Sequence, residues 1–298
     1  MTVSALPYRM APPPSAAEAL PDAAGLAALV ADIGIPPCPD LLCRLQDELV
    51  RGQPRIEALA RIASSDVAVS AALLKAAQRI GAGRAPTTLA QAFDRLGPGR
   101  CIALLGALVL RKVLPGQGPT LERFWDVAHK RSLVMAWLAG SHELIEPEVA
   151  QTFGLFCDVG IPVLIQRYQT PSYRVTLAEA NLGREPFTQV ERRRHGTDHA
   201  VVGAALARTW GVDEEIVEAV CLHHDYRVFT APVADRVRVL IALALVAERI
   251  IQLQFGRNRH GEWQRGGVLA MHALGIAAPD FEQWCDEVEA QMVYDAVR

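Results

Sequence analysis

Five residues carry side chains that could gather a divalent cation: Asp158, His199, His223, His224 and, as a thiolate, Cys157. Asp158 lies in the run Gly154-Leu155-Phe156-Cys157-Asp158-Val159-Gly160. His199 closes His195-Gly196-Thr197-Asp198-His199, and His223-His224 come shortly after Glu215-Ile216-Val217-Glu218-Ala219-Val220. Imidazole nitrogen and carboxylate oxygen together suit a metal that activates water, and a thiolate adds affinity for zinc. If a metal is bound, Asp158, His199 and His223 are its expected ligands, with Cys157 a further donor in a mixed site. A plainer arrangement competes with that one and is favoured here. The same groups can satisfy one another as a buried polar network between helices, and Cys157 can be a small buried thiol. Adjacent helical residues project about 100° apart, so His223 and His224 are not expected to meet one ion together.

A second chemical feature is the basic run Arg192-Arg193-Arg194 ahead of His195, which could bind phosphate, a nucleotide or RNA. With Glu191 beside it and no interleaved aromatics, it reads more simply as a solvated helix end. No glycine-rich phosphate loop and no Gly-x-Ser-x-Gly elbow offers another kind of catalyst.

The elements that must position these side chains are helical almost throughout. Leu41, Leu42, Leu45 and Leu49 follow Asp40 at helical spacing. Ile56, Leu59, Ala60 and Ala63 make the next face, Asp66 can cap a helix over 67–79, and Thr88 can cap one carrying Leu89, Phe93 and Leu96. Pro115-Gly116-Gln117-Gly118-Pro119 is the strongest break in the folded region, a candidate lobe border and hinge. Thr120 then opens a long helix through Phe124, Trp125, Leu133 and Trp137, whose aromatics read as core. Val237 to Ile251 is nearly continuously apolar and must be buried, and an acidic amphipathic helix starts at Pro279 and is expected to dock within the molecule. The expected class is all-α, in two lobes. Residues 1–30 read as a flexible Pro/Ala-rich tail, with folded structure starting near Leu26. Residues 31–116 form an N-terminal helical bundle, 117–230 a second helical lobe, and 231–298 a C-terminal helical extension.

Several of these segments, in this order, resemble one family. The run at Gly154–Gly160 is similar to the Gly-Leu-Leu-His-Asp-Ile-Gly segment of HD-superfamily metal phosphohydrolases. His199-Ala200-Val201-Val202-Gly203 through Trp210-Gly211-Val212 and on to His223-His224 resembles the HDOD branch. Ile35-Pro36-Pro37-Cys38-Pro39, Ile62-Ala63-Ser64-Ser65-Asp66 and Leu89-Ala90-Gln91-Ala92-Phe93-Asp94-Arg95-Leu96-Gly97 agree with it, so the resemblance spans about residues 34–228. It implies a helical bundle packed on an HD-like lobe. It also implies a centre built from an early His, a His-Asp doublet and a later Asp, with further histidines where a second metal is held. Here the doublet is Cys157-Asp158, the early His maps to Arg131, and the later Asp maps to Glu248. A guanidinium has no free lone pair and repels a cation. His129, two residues before Arg131, points to a different side of its helix.

The resemblance therefore implies a remnant site, Arg131, Cys157, Asp158, His199, His223 and His224, with no catalytic residue, no metal and no cofactor expected. It implies a bacterial signal-transduction role through contacts with other signalling proteins, with a nucleotide as a candidate ligand. The competing expectation is a divergent metal-dependent phosphohydrolase or phosphodiesterase acting on nucleotides or cyclic dinucleotides. Bulk properties agree with a folded protein of this kind. Of 298 residues 51% are apolar, and the formal charge of -3 gives no global field for nucleic acid or anionic lipid. Six cysteines without a CxxC pair read as reduced thiols. No export signal and no apolar run near the roughly 20 residues of a membrane span is apparent, so a cytoplasmic location is expected.

Overall fold

The computed structural model describes residues 21–50, 55–79, 85–114, 119–170, 172–256 and 261–297. Among the described residues there is no strand, and they form sixteen α-helices. The N-terminal group comprises α1 (Ala23–Ile33), α2 (Asp40–Val50), α3 (Ile56–Ala63), α4 (Val67–Gln78), α5 (Leu89–Leu96) and α6 (Pro98–Val113). Then follow α7 (Pro119–Ser141), α8 (Pro147–Phe156), α9 (Gly160–Arg167), α10 (Tyr173–Ala180), α11 (Phe187–His195), α12 (His199–Thr209) and α13 (Glu214–Leu222). The chain ends with α14 (Asp235–Phe255), α15 (Glu262–Ala273) and α16 (Ala278–Val297).

Local chemistry sets several of the starts. Asp66 accepts from the Ala68 and Val69 amides at 2.9 and 3.2 Å, and Thr88 forms a reciprocal capping box with Gln91. Thr120 is no cap, because α7 already starts at Pro119. Residues 23–30, expected in the tail, belong instead to α1, which is capped by Asp22 and packs on α12 and α9. The expected lobe border at 115–118 lies outside the described residues.

One continuous apolar core joins the two groups, running from Ile33 and Leu45 through Phe93, Leu105 and Phe153 to Trp210, Val246 and Trp284. The Trp210 indole donates to the Pro36 carbonyl at 2.9 Å and ties the N-terminal entry to α12. The apolar stretch in α14 is buried as its composition demands, with Val237, Leu240, Ile241, Leu243, Val246 and Ile250 inaccessible. The 21-residue segment 147–167 is long and apolar enough to cross a bilayer. It is broken between α8 and α9, however, and largely buried in this core. The acidic helix α16 docks as expected: Trp284 stacks on His142 with centroids 4.3 Å apart, and Gln254 donates to the Cys285 carbonyl at 3.0 Å.

The turn that carries Asp158 is seated by a backbone crossing. A Cβ on Gly160 would sit 2.1 Å from the His199 carbonyl oxygen, and one on Gly203 would sit 3.1 Å from the Gly160 amide nitrogen. Only glycine lets the start of α9 approach α12 this closely, and that approach sets Asp158 beside His199. Gly160→Ala is therefore expected to destabilise the protein by about 3 kcal/mol or to prevent folding. Urea unfolding would measure it, and a loss under about 1 kcal/mol would show that the crossing relaxes freely.

Candidate active centre

Helix ends and helix middles converge on one buried point. Asp158 stands in the turn between α8 and α9, His199 is the first residue of α12, and His223 and His224 follow the last turn of α13. Arg131 comes from the middle of α7 and Glu248 from α14. The chain thus brings together all six residues of the expected remnant site, and Glu248 joins them.

The centre has two unlike halves. In the first, Arg131 is completely buried, its Nη1 hydrogen-bonded to Asp158 Oδ2 and, at 2.5 Å, to Glu248 Oε1, while Nε donates to the Gly154 carbonyl at 2.9 Å. A fixed cation thus bridges the two carboxylates that the family's pattern would offer to a metal. Burial disfavours the charge, but Asp158, Cys157 and Glu248 more than offset it and keep Arg131 protonated. This half does not fit a metal, since the arginine supplies no lone pair and occupies the space between the carboxylates.

The second half is a nest of imidazoles. His199 Nε2 lies 3.2 Å from His223 Nε2, 3.1 Å from His224 Nε2 and 3.3 Å from Asp158 Oδ1, and His223 Nε2 lies 3.3 Å from the same oxygen. Although His223 and His224 were not expected to meet one ion together, their rings converge here. Helix α13 ends at Leu222, so the two rings leave from a turn instead of a continuing helix, and both reach the same point. Behind each ring stands an acceptor. His199 Nδ1 faces Glu191 at 2.7 Å, His224 Nδ1 faces Glu262 at 3.1 Å, and His223 Nδ1 faces the Val220 carbonyl at 2.7 Å. An Nδ1 so placed carries its hydrogen, which leaves Nε2 of the neutral ring as an inward lone pair.

Three imidazole nitrogens and one carboxylate oxygen, all within 4.8 Å of one another, make a donor set that fits a transition metal. Ligands about 2.1 Å from a tetrahedral ion stand roughly 3.4 Å apart, close to the 3.1–3.3 Å of four of the six separations here, the other two lying within 4.8 Å. Asp158, His199, His223 and His224 are the residues that would hold it. Cys157 is not among them: it is buried at the end of α8, with its thiol next to His223.

Protons can fill the same role. Burial pushes His199 down, but Glu191 and Asp158 outweigh it and raise it to about 10. His223 is likewise held up against burial by Cys157 and Asp158, whereas burial and the charge on His223 push His224 down. Asp158 is lowered despite burial, by Arg131, His199 and His223. The protonated centre is therefore a balanced network of buried cations and carboxylates.

Glu191 and Glu262 were not anticipated. Glu191 is fully buried and also accepts from the Tyr173 hydroxyl, and Glu262 accepts from Tyr226 and, at 2.9 Å, from Arg265. The basic run, by contrast, is not gathered into an anion site. Arg192 pairs with Asp198 at 2.5 Å, Arg193 with Glu179 at 2.6 Å and with Glu185, and Arg194 with Glu179. His129 stays outside the centre, against Trp125 and Leu155 in a separate small cavity. Above the centre opens a cavity of about 610 Å3, floored by Asp158, His199 and Glu248 and walled by Arg123, Arg174 and Phe187.

Removing the guanidinium takes the buried cation away from two carboxylates. Arg131→Met is expected to destabilise by about 3–5 kcal/mol at neutral pH. Asp158 has a depressed pKa in the native state, so its contribution is present above the unfolded pKa and is lost as pH falls through the native one. In the variant Asp158 takes up a proton at higher pH, so the deficit shrinks on acidification. Urea titrations near pH 7 and pH 5 would show this, and a deficit independent of pH would sink it.

Comparison with known proteins agrees with this fold. The family model for the HDOD domain matches residues 35–226. A curated, uncharacterized protein of Treponema pallidum (strain Nichols) is 25% identical over 207 residues, 67% of this chain. The chain spans 40% of that relative's length. Among solved structures, a protein of Shewanella amazonensis SB2B, named provisionally as a phosphohydrolase, superposes with a TM-score of 0.68 at 21% identity, over 90% of this chain and 95% of that one. An HDOD domain protein of unknown function from Geobacter sulfurreducens gives 0.64 at 20% identity, over 91% and 96%. A protein from Marinobacter aquaeolei VT8, named provisionally for signal transduction, gives 0.69 at 19% identity, over 89% and 59%. At these identities the structural likeness is one of fold.

Proposed function

The chain belongs to the HDOD domain family, and on that premise we propose that it is a noncatalytic signal-transduction module that acts by binding other proteins. The observation that carries this reading is Arg131, bridging Asp158 and Glu248 where a hydrolytic centre would seat an ion. A metal that activates water and stabilises phosphoryl charge must exchange ligands, and a guanidinium locked by three acceptors cannot. What the centre does instead is hold α7, α8, α12, α13 and α14 in one arrangement, giving a rigid surface for partners. The cavity above it is within the size range of small-ligand sites, so a nucleotide-sized input could be sensed there.

A second reading rests on a specific observation of its own. Asp158, His199, His223 and His224 form a donor set suited to one metal, which would supply a Lewis acid for phosphoester hydrolysis. Under that reading Glu191 and Glu262 fix the histidine tautomers, and Arg131 offsets the charge of Asp158 and Glu248.

Protein purified without chelator and assayed with Mn2+, Mg2+ or Fe2+ against nucleotides and cyclic dinucleotides is expected to show no turnover. Partner capture from its native cells is expected to be unchanged by EDTA. Turnover that disappears in Asp158→Ala, with about one metal per chain by elemental analysis, would overturn the regulatory reading and establish the second one.

A further inference from the structure

A second cavity, distant from the histidines, lies where three parts of the chain meet: the α5–α6 junction, the pair α7 and α8, and the terminal helix α16. Its volume is about 400 Å3, and Leu96, Arg100, Trp137, Glu148, Gln151 and Val288 are in its wall. Gln151 is the unusual member. It is only 5% exposed, it lines the cavity, and its carboxamide makes no hydrogen bond to any described residue. The residue is buried while its amide keeps its hydrogen-bonding capacity unspent, so the amide is available to a ligand in the cavity it lines.

The chemistry of the wall narrows the occupant. A carboxamide offers a donor and an acceptor side by side, the pattern that pairs with the edge of a purine. The Trp137 indole supplies an aromatic surface for a flat ring, and Leu96 and Val288 close the cavity with aliphatic carbon. Arg100 and Glu148 add a donor and an acceptor to the wall. The volume admits a nucleoside and is small for a dinucleotide.

We propose that this cavity is a binding site for a purine base or nucleoside, with Gln151 reading the edge of the base. A ligand there touches both helix groups and α16 at once, so its binding tightens the packing of the C-terminal helix on the rest of the protein. The site is separate from the histidine centre, and its test is independent of whether that centre holds a metal.

The experiment uses the full chain, with guanosine, inosine and adenosine at about 1 mM as probes and indole as a flat control lacking the paired edge. Melting temperature and calorimetric titration are the readouts. At least one purine nucleoside is expected to raise the melting temperature, and Gln151→Leu is expected to weaken its binding about tenfold or more. Because the amide lacks a protein partner, Gln151→Leu is also expected to leave the ligand-free melting temperature unchanged or higher. Failure of every nucleoside to bind overturns the proposal, as does equal binding by indole or equal binding by the variant. A marked fall in the ligand-free melting temperature of the variant overturns it too, since the amide would then be serving the fold.

Discussion

The arrangement of this protein depends on a single buried cation. Arg131 sits at zero exposure in the middle of α7 and neutralises carboxylates from the α8–α9 turn and from α14. A positive charge at that point offsets the burial of Asp158 and helps to hold its carboxyl below the usual carboxylate range. A metal could supply the charge, but it can leave, change ligands and bring water. Arginine is covalently fixed, always protonated, and directs its hydrogen bonds in one plane. An arginine at that position is a permanent strut between α7, the α8–α9 turn and α14.

The neighbouring half has the organisation of a ligand set. Each inward Nε2 is backed by an outward hydrogen bond, from His199 to Glu191, from His224 to Glu262 and from His223 to a backbone carbonyl. The backing groups are themselves anchored, Glu191 by Tyr173 and Glu262 by Tyr226 and Arg265. Such layered support orients imidazoles whether the centre holds protons or an ion. The two halves share Asp158, whose oxygens face Arg131 on one side and the histidines on the other. A change in the charge of the histidine nest therefore reaches α7 through one carboxylate.

Much of this was legible in the sequence, for definite reasons. The all-helical class follows from apolar spacing over nearly every segment, and Asp66 and Thr88 announce their helices by side-chain chemistry that is local. The burial of α14 follows from composition alone. Asp158, His199 and Arg131 were found through short motifs whose order is preserved. The convergence of His223 with His224 was missed because the 100° rule assumes a helix that continues, and α13 stops one residue earlier. Glu191 was read as part of a solvated charged run because its burial is decided by α10 and α12, which pack over it. Glu262 lies 38 residues beyond His224, and only the return of α15 along α14 brings the two together.

That return changes how the C-terminal region should be viewed. Residues 231–298 look in sequence like an appendage to the motif-bearing lobe, yet they supply Glu248 to one half of the centre and Glu262 to the other. Helix α14 is also buried along most of its middle, packed against α7, α13 and α15. A chain cut near residue 230 would retain every motif histidine while losing the acceptor behind His224 and one of the two carboxylates on Arg131. The buried guanidinium would then be half-paired and one imidazole unbacked, a state with a large desolvation penalty and little to offset it. The unit that holds the centre together therefore extends past the boundary of the matched domain, and any partner or ligand that shifts α14 or α15 acts directly on it.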